Sequence, residues 1–189
     1  MSKTQTEIPA KIHNYNGEKG NHRVSTSAMD TTDVSTFSPI FVYGTLMAEE
    51  LLSWVLTGSS ENHELICSLR QPAVLTNFRR VPVKHGDYPA LIPGGPSDQV
   101  DGYLISPRSA SEWKKLDDFE GELYQRCQVN VLLVSDNLDG GNKCVSANVY
   151  VWAGSMDDIW QDREWDISHF RQNRLEDWLD LFDGMEMVG

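Results

Sequence analysis

The chain has 189 residues, 28 of them acidic against 16 Lys plus Arg, for a formal charge of −12. That length suits one domain with its own core, and that charge repels phosphate backbones and anionic membranes, so neither nucleic acid nor a membrane is an expected partner. No window approaches the ~20 apolar residues of a membrane span. The N-terminus, with Glu7, Glu18 and Asp30, has neither the apolar stretch of a secretion signal nor the acid-poor make-up of a transit peptide, so a cytoplasmic protein is expected.

Residues 1–36 are rich in Thr, Ser, Asn and Lys, and their few apolar residues follow no period, which predicts a disordered tail ahead of a domain at 37–185. Ile40, Phe41 and Val42 then form a continuous apolar run, the pattern of a strand buried on both faces. It leads into Tyr43-Gly44-Thr45-Leu46, a strand-to-helix corner. Glycine there permits a tight turn or a close approach, and the first amides of a helix point outward without internal partners. Such a corner is either an anion cradle or merely a capped turn. Glu49 to Leu56 follows with acids in its first turn, apolar residues on one side and Gly58 at its end, which predicts a short helix.

From Leu65 to Ile105 no helical period survives. Short apolar runs around 73–75, 80–83, 90–92 and 102–105, separated by Pro, Gly and Asp, predict strands of a strongly bent sheet or barrel, with Pro82 and Pro89 at edges, strand starts or bulges. Tyr124–Val134 and Lys143–Trp152 read as two longer strands joined through Asp139-Gly140-Gly141-Asn142 as a loose hairpin turn. Asp166 to Phe182 places Ile167, Phe170, Arg174, Leu175, Trp178 and Phe182 near one face and predicts one C-terminal helix, with Trp165 and Trp178 as packing groups. Cys67, Cys127 and Cys144 are odd in number and lack paired zinc or redox spacing, so reduced, partly buried thiols are expected, with a Cys127–Cys144 bridge across the hairpin as the alternative. The histidines are scattered, and His85 reads as a surface residue rather than a ligand.

The stretch 106–124 carries a helix that starts either at Ser106-Pro107 or at Ser109, which has capping-box spacing to Glu112. Gly121 is the expected terminator, which puts Glu120 in the last turn, on the apolar face with Trp113 and Leu116. The helix dipole and an apolar setting both disfavour an anion there, and a carboxyl whose pKa is raised in this way suits general base chemistry near neutral pH. In the competing reading Glu120 leans outward and pairs with Arg126 or Lys115. Asp117 and Asp118 turn to other sides of the helix and read as solvated charges, whereas Glu122, just past the terminator, competes for the same role.

"FVYGTLM" at 41–47, "YPALIPGG" at 88–95, "VDGYLI" at 100–105 and "LDDFEGELYQRCQVNV" at 116–131 together resemble the gamma-glutamylcyclotransferase-like family, which includes gamma-glutamylamine cyclotransferases and avirulence-induced plant proteins. The resemblance runs from about residue 40 to 152 and implies an α+β fold, a small mixed β-barrel flanked by helices with a cavity at its mouth. It implies that the backbone at Tyr43, Gly44, Thr45 and Leu46 holds a gamma-glutamyl moiety, binding its α-carboxylate or the developing oxyanion. It also implies that Glu120, in the family's "DxFE" pattern, is the catalytic acid. The α-amine of the glutamyl group would attack its own side-chain carbonyl, giving 5-oxoproline and a free amine without metal or organic cofactor. Tyr88, which opens "YPAL", is a further lining candidate or else a packed aromatic, and Arg79, Arg80 and Arg126 are candidates to meet a substrate carboxylate. "YGTL" in place of the "YGSN" of the glutathione-degrading branch puts gamma-glutamyl amines ahead of glutathione as the expected small-molecule substrate. The alternatives are a binding or regulatory module on the same barrel, or an enzyme that removes a gamma-glutamyl protecting group.

Overall fold

A computed structural model describes residues 37–134 and 143–185. The expected tail at 1–36 and the turn at 139–142 lie outside the described residues. Strand β1 (Ile40–Val42) pairs antiparallel with β5 (Gln99–Ile105), which pairs with β2 (Arg70–Thr76), then β6 (Tyr124–Leu133), then β7 (Cys144–Trp152). A parallel bridge between Ile40 and Asn148 returns from β7 to β1 and closes a five-stranded mixed barrel. The helices α1 (Glu49–Thr57), α2 (His63–Leu69), α3 (Ala110–Glu120), α4 (Ile167–Asn173) and α5 (Leu175–Phe182) flank it. No helix among the described residues is long and apolar enough to cross a membrane.

The apolar run of β1 is buried on both faces, as its pattern predicts. Phe41 and Tyr43 turn inward to a core with Leu75, Val100, Leu104, Val131 and Val149, while Ile40 and Val42 join an outer core built with the helices. Strands β3 (Phe78–Pro82) and β4 (Pro89–Pro93) do not enter the barrel. They form a separate antiparallel ladder whose loop end pairs Pro82 with Pro89, at the last residue of one strand and the first of the other, where residues without an N–H cost least. Leu91 of β4 still reaches the inner core.

Three expectations need correction. A helix, α2, occupies His63–Leu69, where no helical period was legible: it is seven residues long, and it is anchored by the fully buried Ile66. The C-terminal helix is two helices, broken at Arg174, whose φ of −130° leaves the helical range. Arg174 Nε lies 2.9 Å from Asp87 Oδ2, so the residue at the break is tied to the loop before β4. The alternative Cys127–Cys144 bridge fails on register, because Cys127 faces Val149 and Cys144 faces Leu132, several residues apart along β6; all three cysteines are free, and of the thiols expected to be partly buried only Cys127 is, Cys67 and Cys144 being exposed.

α3 starts at the second of its two possible caps. Ser109 Oγ accepts the Glu112 amide, and the buried Glu112 carboxylate in turn accepts the Arg108 amide at 2.6 Å. Gly121 ends the helix with φ +66°, as its position predicts. α5 closes the fold from behind: Trp178, 1 % exposed, packs edge-on to Phe170 and Phe182 and reaches both Phe119 and Tyr88, each at 6.4 Å between ring centroids. Trp54 of α1 stacks on Phe182 at 4.5 Å.

Trp178→Ala should therefore destabilise the protein by about 3–5 kcal/mol, read by urea unfolding. Leu181→Ala, at an exposed position on the flank of α5, should change stability by about 0.5 kcal/mol or less.

Candidate active site

The end of β1, the helical turn at Thr45–Met47, the start of β4, the end of α3, the start of β6 and the end of β7 converge on one hollow. Phe41 to Leu46, Tyr88, Pro89, Glu120, Tyr124 and Tyr150 line it. The expected site residues Tyr43, Gly44, Thr45, Leu46, Tyr88 and Glu120 are thus brought together, although they come from segments far apart in the chain. Among the described residues lining the hollow, Glu120 is the one carboxylate, and none is Lys, Arg or His.

Local chemistry explains how each wall is held. Met47 is the first residue of the helical turn whose amide finds a carbonyl, that of Gly44 at 2.9 Å, so the amides of Thr45 and Leu46 precede the internal ladder. Gly44 is glycine because of a close approach rather than a left-handed turn. Its φ is −113°, and a Cβ there would meet Pro89 Cγ at 2.9 Å. The glycine of one motif is therefore seated against the proline of another. Tyr124 donates from its hydroxyl to the Pro89 carbonyl at 2.7 Å, and Tyr43 donates to the Tyr150 carbonyl at 2.7 Å. Tyr88 is 5 % exposed and serves both of its expected parts, lining the hollow and packing on Trp178.

The tyrosine hydroxyls surround the carboxylate electrically. Burial pushes Tyr43 well above the usual tyrosine range; the Glu120 charge adds to the rise, and the Leu91 amide and the Arg80 guanidinium oppose it. Burial raises Tyr124 in the same way, with Tyr43 and Glu120 adding to it. For Tyr150 burial again dominates, followed by the hydrogen bond to Asp117 and the charges of Asp117 and Glu120.

The expectations for neighbouring charges divide. Arg126 pairs with Asp117 at 3.0 Å, and Lys115 donates to the Leu56 carbonyl at 3.2 Å. Asp118 pairs with Lys114 on the surface, and Glu122 is exposed, outside the lining of the hollow. Asp117 is more than a solvated charge, since it accepts the Tyr150 hydroxyl at 2.7 Å. Arg79, Arg80 and Arg126 do not line the hollow: Arg79 donates to the Gln161 carbonyl, and Arg80 sits behind the corner. His85 is exposed, and among the described residues no group of three or more His, Cys, Asp or Glu gathers as metal ligands would.

Sequence reasoning did not pick out Tyr124 and Tyr150 as lining residues. The signal lay in the hairpin register: Tyr124 faces Trp152, so Tyr150, two residues along β7, shares its side of the sheet.

The sequence model of the family described as "Gamma-glutamyl cyclotransferase, AIG2-like" matches residues 40–172. The chain belongs to that family. AIG2-like protein D of Arabidopsis thaliana is 32 % identical over 146 residues, 77 % of this chain and 87 % of the relative. AIG2-like protein C of the same plant is 33 % identical over 141 residues, 74 % of this chain and 73 % of the relative. Two solution structures of Arabidopsis thaliana proteins superpose with TM-score 0.52. One, 25 % identical, covers 85 % of this chain and 86 % of its own; the other, 19 % identical, covers 81 % and 93 %, and shares the fold. The matched span takes in β1, α3 and the whole wall of the hollow, whereas α5 lies beyond it.

Because folding favours the neutral hydroxyls, the native state holds more protons than the unfolded chain once pH passes the ordinary tyrosine value of 10.0. Stability is accordingly full below that pH and is lost as pH rises above it. An ultraviolet titration of tyrosinate should show Tyr43, Tyr124 and Tyr150 ionising together with unfolding, and the Tyr150→Phe variant should lose one ionisation from that cooperative step.

Proposed function

We propose that the protein is a gamma-glutamyl cyclotransferase acting on gamma-glutamyl amines, with Glu120 as its acid-base group and the backbone at 43–46 as its substrate cradle. The observation that carries this reading is the pairing, in one small hollow, of a lone carboxylate with the leading amides of a helical turn. Family membership supports the general reaction. The "YGTL" corner supports an amine, amino acid or peptide-like leaving group ahead of glutathione.

The chemistry follows from what the hollow offers. The neutral α-amine of a folded gamma-glutamyl group attacks its own side-chain carbonyl carbon; the new carbon–nitrogen bond closes a five-membered lactam as the bond to the leaving nitrogen breaks. Glu120 takes a proton from the attacking nitrogen and returns it to the departing one, so one carboxyl group serves both steps. The products are 5-oxoproline and a free amine. A positioned acid-base group contributes ~10²–10⁴-fold, and holding the chain folded for an intramolecular attack contributes further. With no cationic side chain lining the hollow, the backbone amides of Gly44, Thr45 and Leu46 are the donors at the corner for the α-carboxylate or the developing oxyanion. Tyr43, Tyr88, Tyr124 and Tyr150 enclose the reacting atoms and restrict water.

The test is incubation of the protein with a panel of gamma-glutamyl amines, amino acids and peptides, with release of 5-oxoproline as the readout. Turnover of at least one compound is expected. Glu120→Gln should lower kcat by about 10²–10⁴-fold while the variant still binds substrate. Silence of folded wild-type protein across the panel, or equal turnover by Glu120→Gln, refutes the reading; binding without turnover in both proteins points to a ligand-binding module instead.

A further inference from the structure

Arg80 of β3 stands behind the corner and touches it at one atom. Its Nη1 donates to the Tyr43 carbonyl at 2.9 Å and lies 3.4 Å from Met47 Sδ. Its own position is fixed from three sides: Nη2 meets Asp101 Oδ1 at 3.1 Å, Nη1 also reaches the Asp101 carbonyl at 3.3 Å, and the guanidinium sits over the Trp165 ring at 5.6 Å. The side chain is only 14 % exposed. It belongs to the wall of a second hollow, with Arg79, Asp98, Asp101, Glu164 and Trp165, and not to the one that holds Glu120.

We propose that Arg80 is a positioning residue that aims the Gly44 N–H into the hollow shared with Glu120. A trans peptide is planar, so the carbonyl of one residue and the N–H of the next point in opposite directions, and no peptide among the described residues is cis. Arg80 draws the Tyr43 carbonyl toward the second hollow. The Gly44 N–H is thereby turned the other way, toward the hollow that Gly44 lines. A glycine offers little resistance to rotation of the peptide before it, so something outside the corner has to hold that plane. A bond from a guanidinium does so more firmly than one between neutral groups, and by polarising the peptide it strengthens the N–H as a donor. The direct contribution of Arg80 is therefore to an amide, and any effect on substrate passes through that amide. The catalytic consequence rests on the cyclotransferase reading; the orientation of the peptide does not.

The two parts are separable by experiment on the full chain, using wild type, Arg80→Gln and Arg80→Lys labelled with ¹⁵N. Without ligand, Arg80→Gln should move the Gly44 amide signal and speed its hydrogen exchange, while signals of α2, which lines neither hollow, stay in place. With 5-oxo-L-proline as the probe, the Gly44 signal should respond in wild type and lose most of that response in Arg80→Gln, with the Leu46 response retained. On any panel compound that wild type turns over, kcat/KM should fall on the order of 10–100-fold; the fall appears in KM if the amide holds the carboxylate and in kcat if it holds the oxyanion. Arg80→Lys, with one ammonium unable to span Tyr43 and Asp101 together, should show the same changes at smaller size, and it decides the matter if the glutamine variant does not fold. A folded variant whose Gly44 signal, exchange and kcat/KM equal those of wild type overturns the proposal. If wild type turns over nothing on the panel, the cyclotransferase reading is what fails, and the ligand-free Gly44 signal still decides the role of Arg80.

Discussion

The contact on which the hollow depends is the seating of Gly44 against the ring of Pro89, closer than any side chain would allow. It sets the distance between the β1 corner and the start of β4, and the Tyr124 hydroxyl then ties the same proline's carbonyl to the chain just past α3. Three segments that each carry part of the chemistry are thereby held to one point. A substitution that pushed Gly44 and Pro89 apart would move the cradle amides away from Glu120 without touching either, and reacting groups displaced by about an ångström can lose on the order of 10² in rate.

The second layer of support is aromatic. Trp178 lies between Phe119, the residue next to Glu120, and Tyr88, and its indole N–H reaches Asp87 Oδ2 at 3.3 Å. Asp87 also faces Arg174, and its carbonyl accepts the Trp165 indole at 2.9 Å. The C-terminal helices are thus fastened to the loop that leads into the site, by a half-buried carboxylate with a cationic neighbour and by indoles whose polar atoms are satisfied. Tyr43, Tyr124 and Tyr150 complete the enclosure with hydroxyls that donate to carbonyls or to Asp117, so the wall is polar at its atoms and apolar in its bulk. That is the setting in which an acid-base group acts on a substrate with little competing water.

What could be read in the sequence were features whose cause is local. The apolar run at 40–42, the Ser109 cap, the Gly121 stop and the position of Glu120 on the last turn each follow from a few adjacent residues, and the four quoted motifs add the fold and the barrel. What could not be read depends on partners distant in the chain. α2 is too short to show a period, and the break at Arg174 accompanies its tie to Asp87, 87 residues earlier by its number in the chain. The separation of β3 and β4 from the barrel is a matter of pairing that no single strand encodes. Tyr150 enters the site through the β6–β7 register, and Arg80, a candidate for touching substrate, instead holds the corner from the far side. The glycine of the corner was legible as a close approach, but the approaching group is a proline rather than a ligand.

The central claim is that the carboxyl of Glu120 and the amides of the corner grip opposite sides of one bound molecule. A crystal structure with 5-oxo-L-proline tests it most directly. The account predicts the lactam nitrogen within hydrogen-bond reach of a Glu120 carboxyl oxygen, with the ligand's carboxylate or ring carbonyl on the amides between Gly44 and Leu46. A ligand seated elsewhere, or one bound in this hollow with Glu120 turned away from it, would contradict the account.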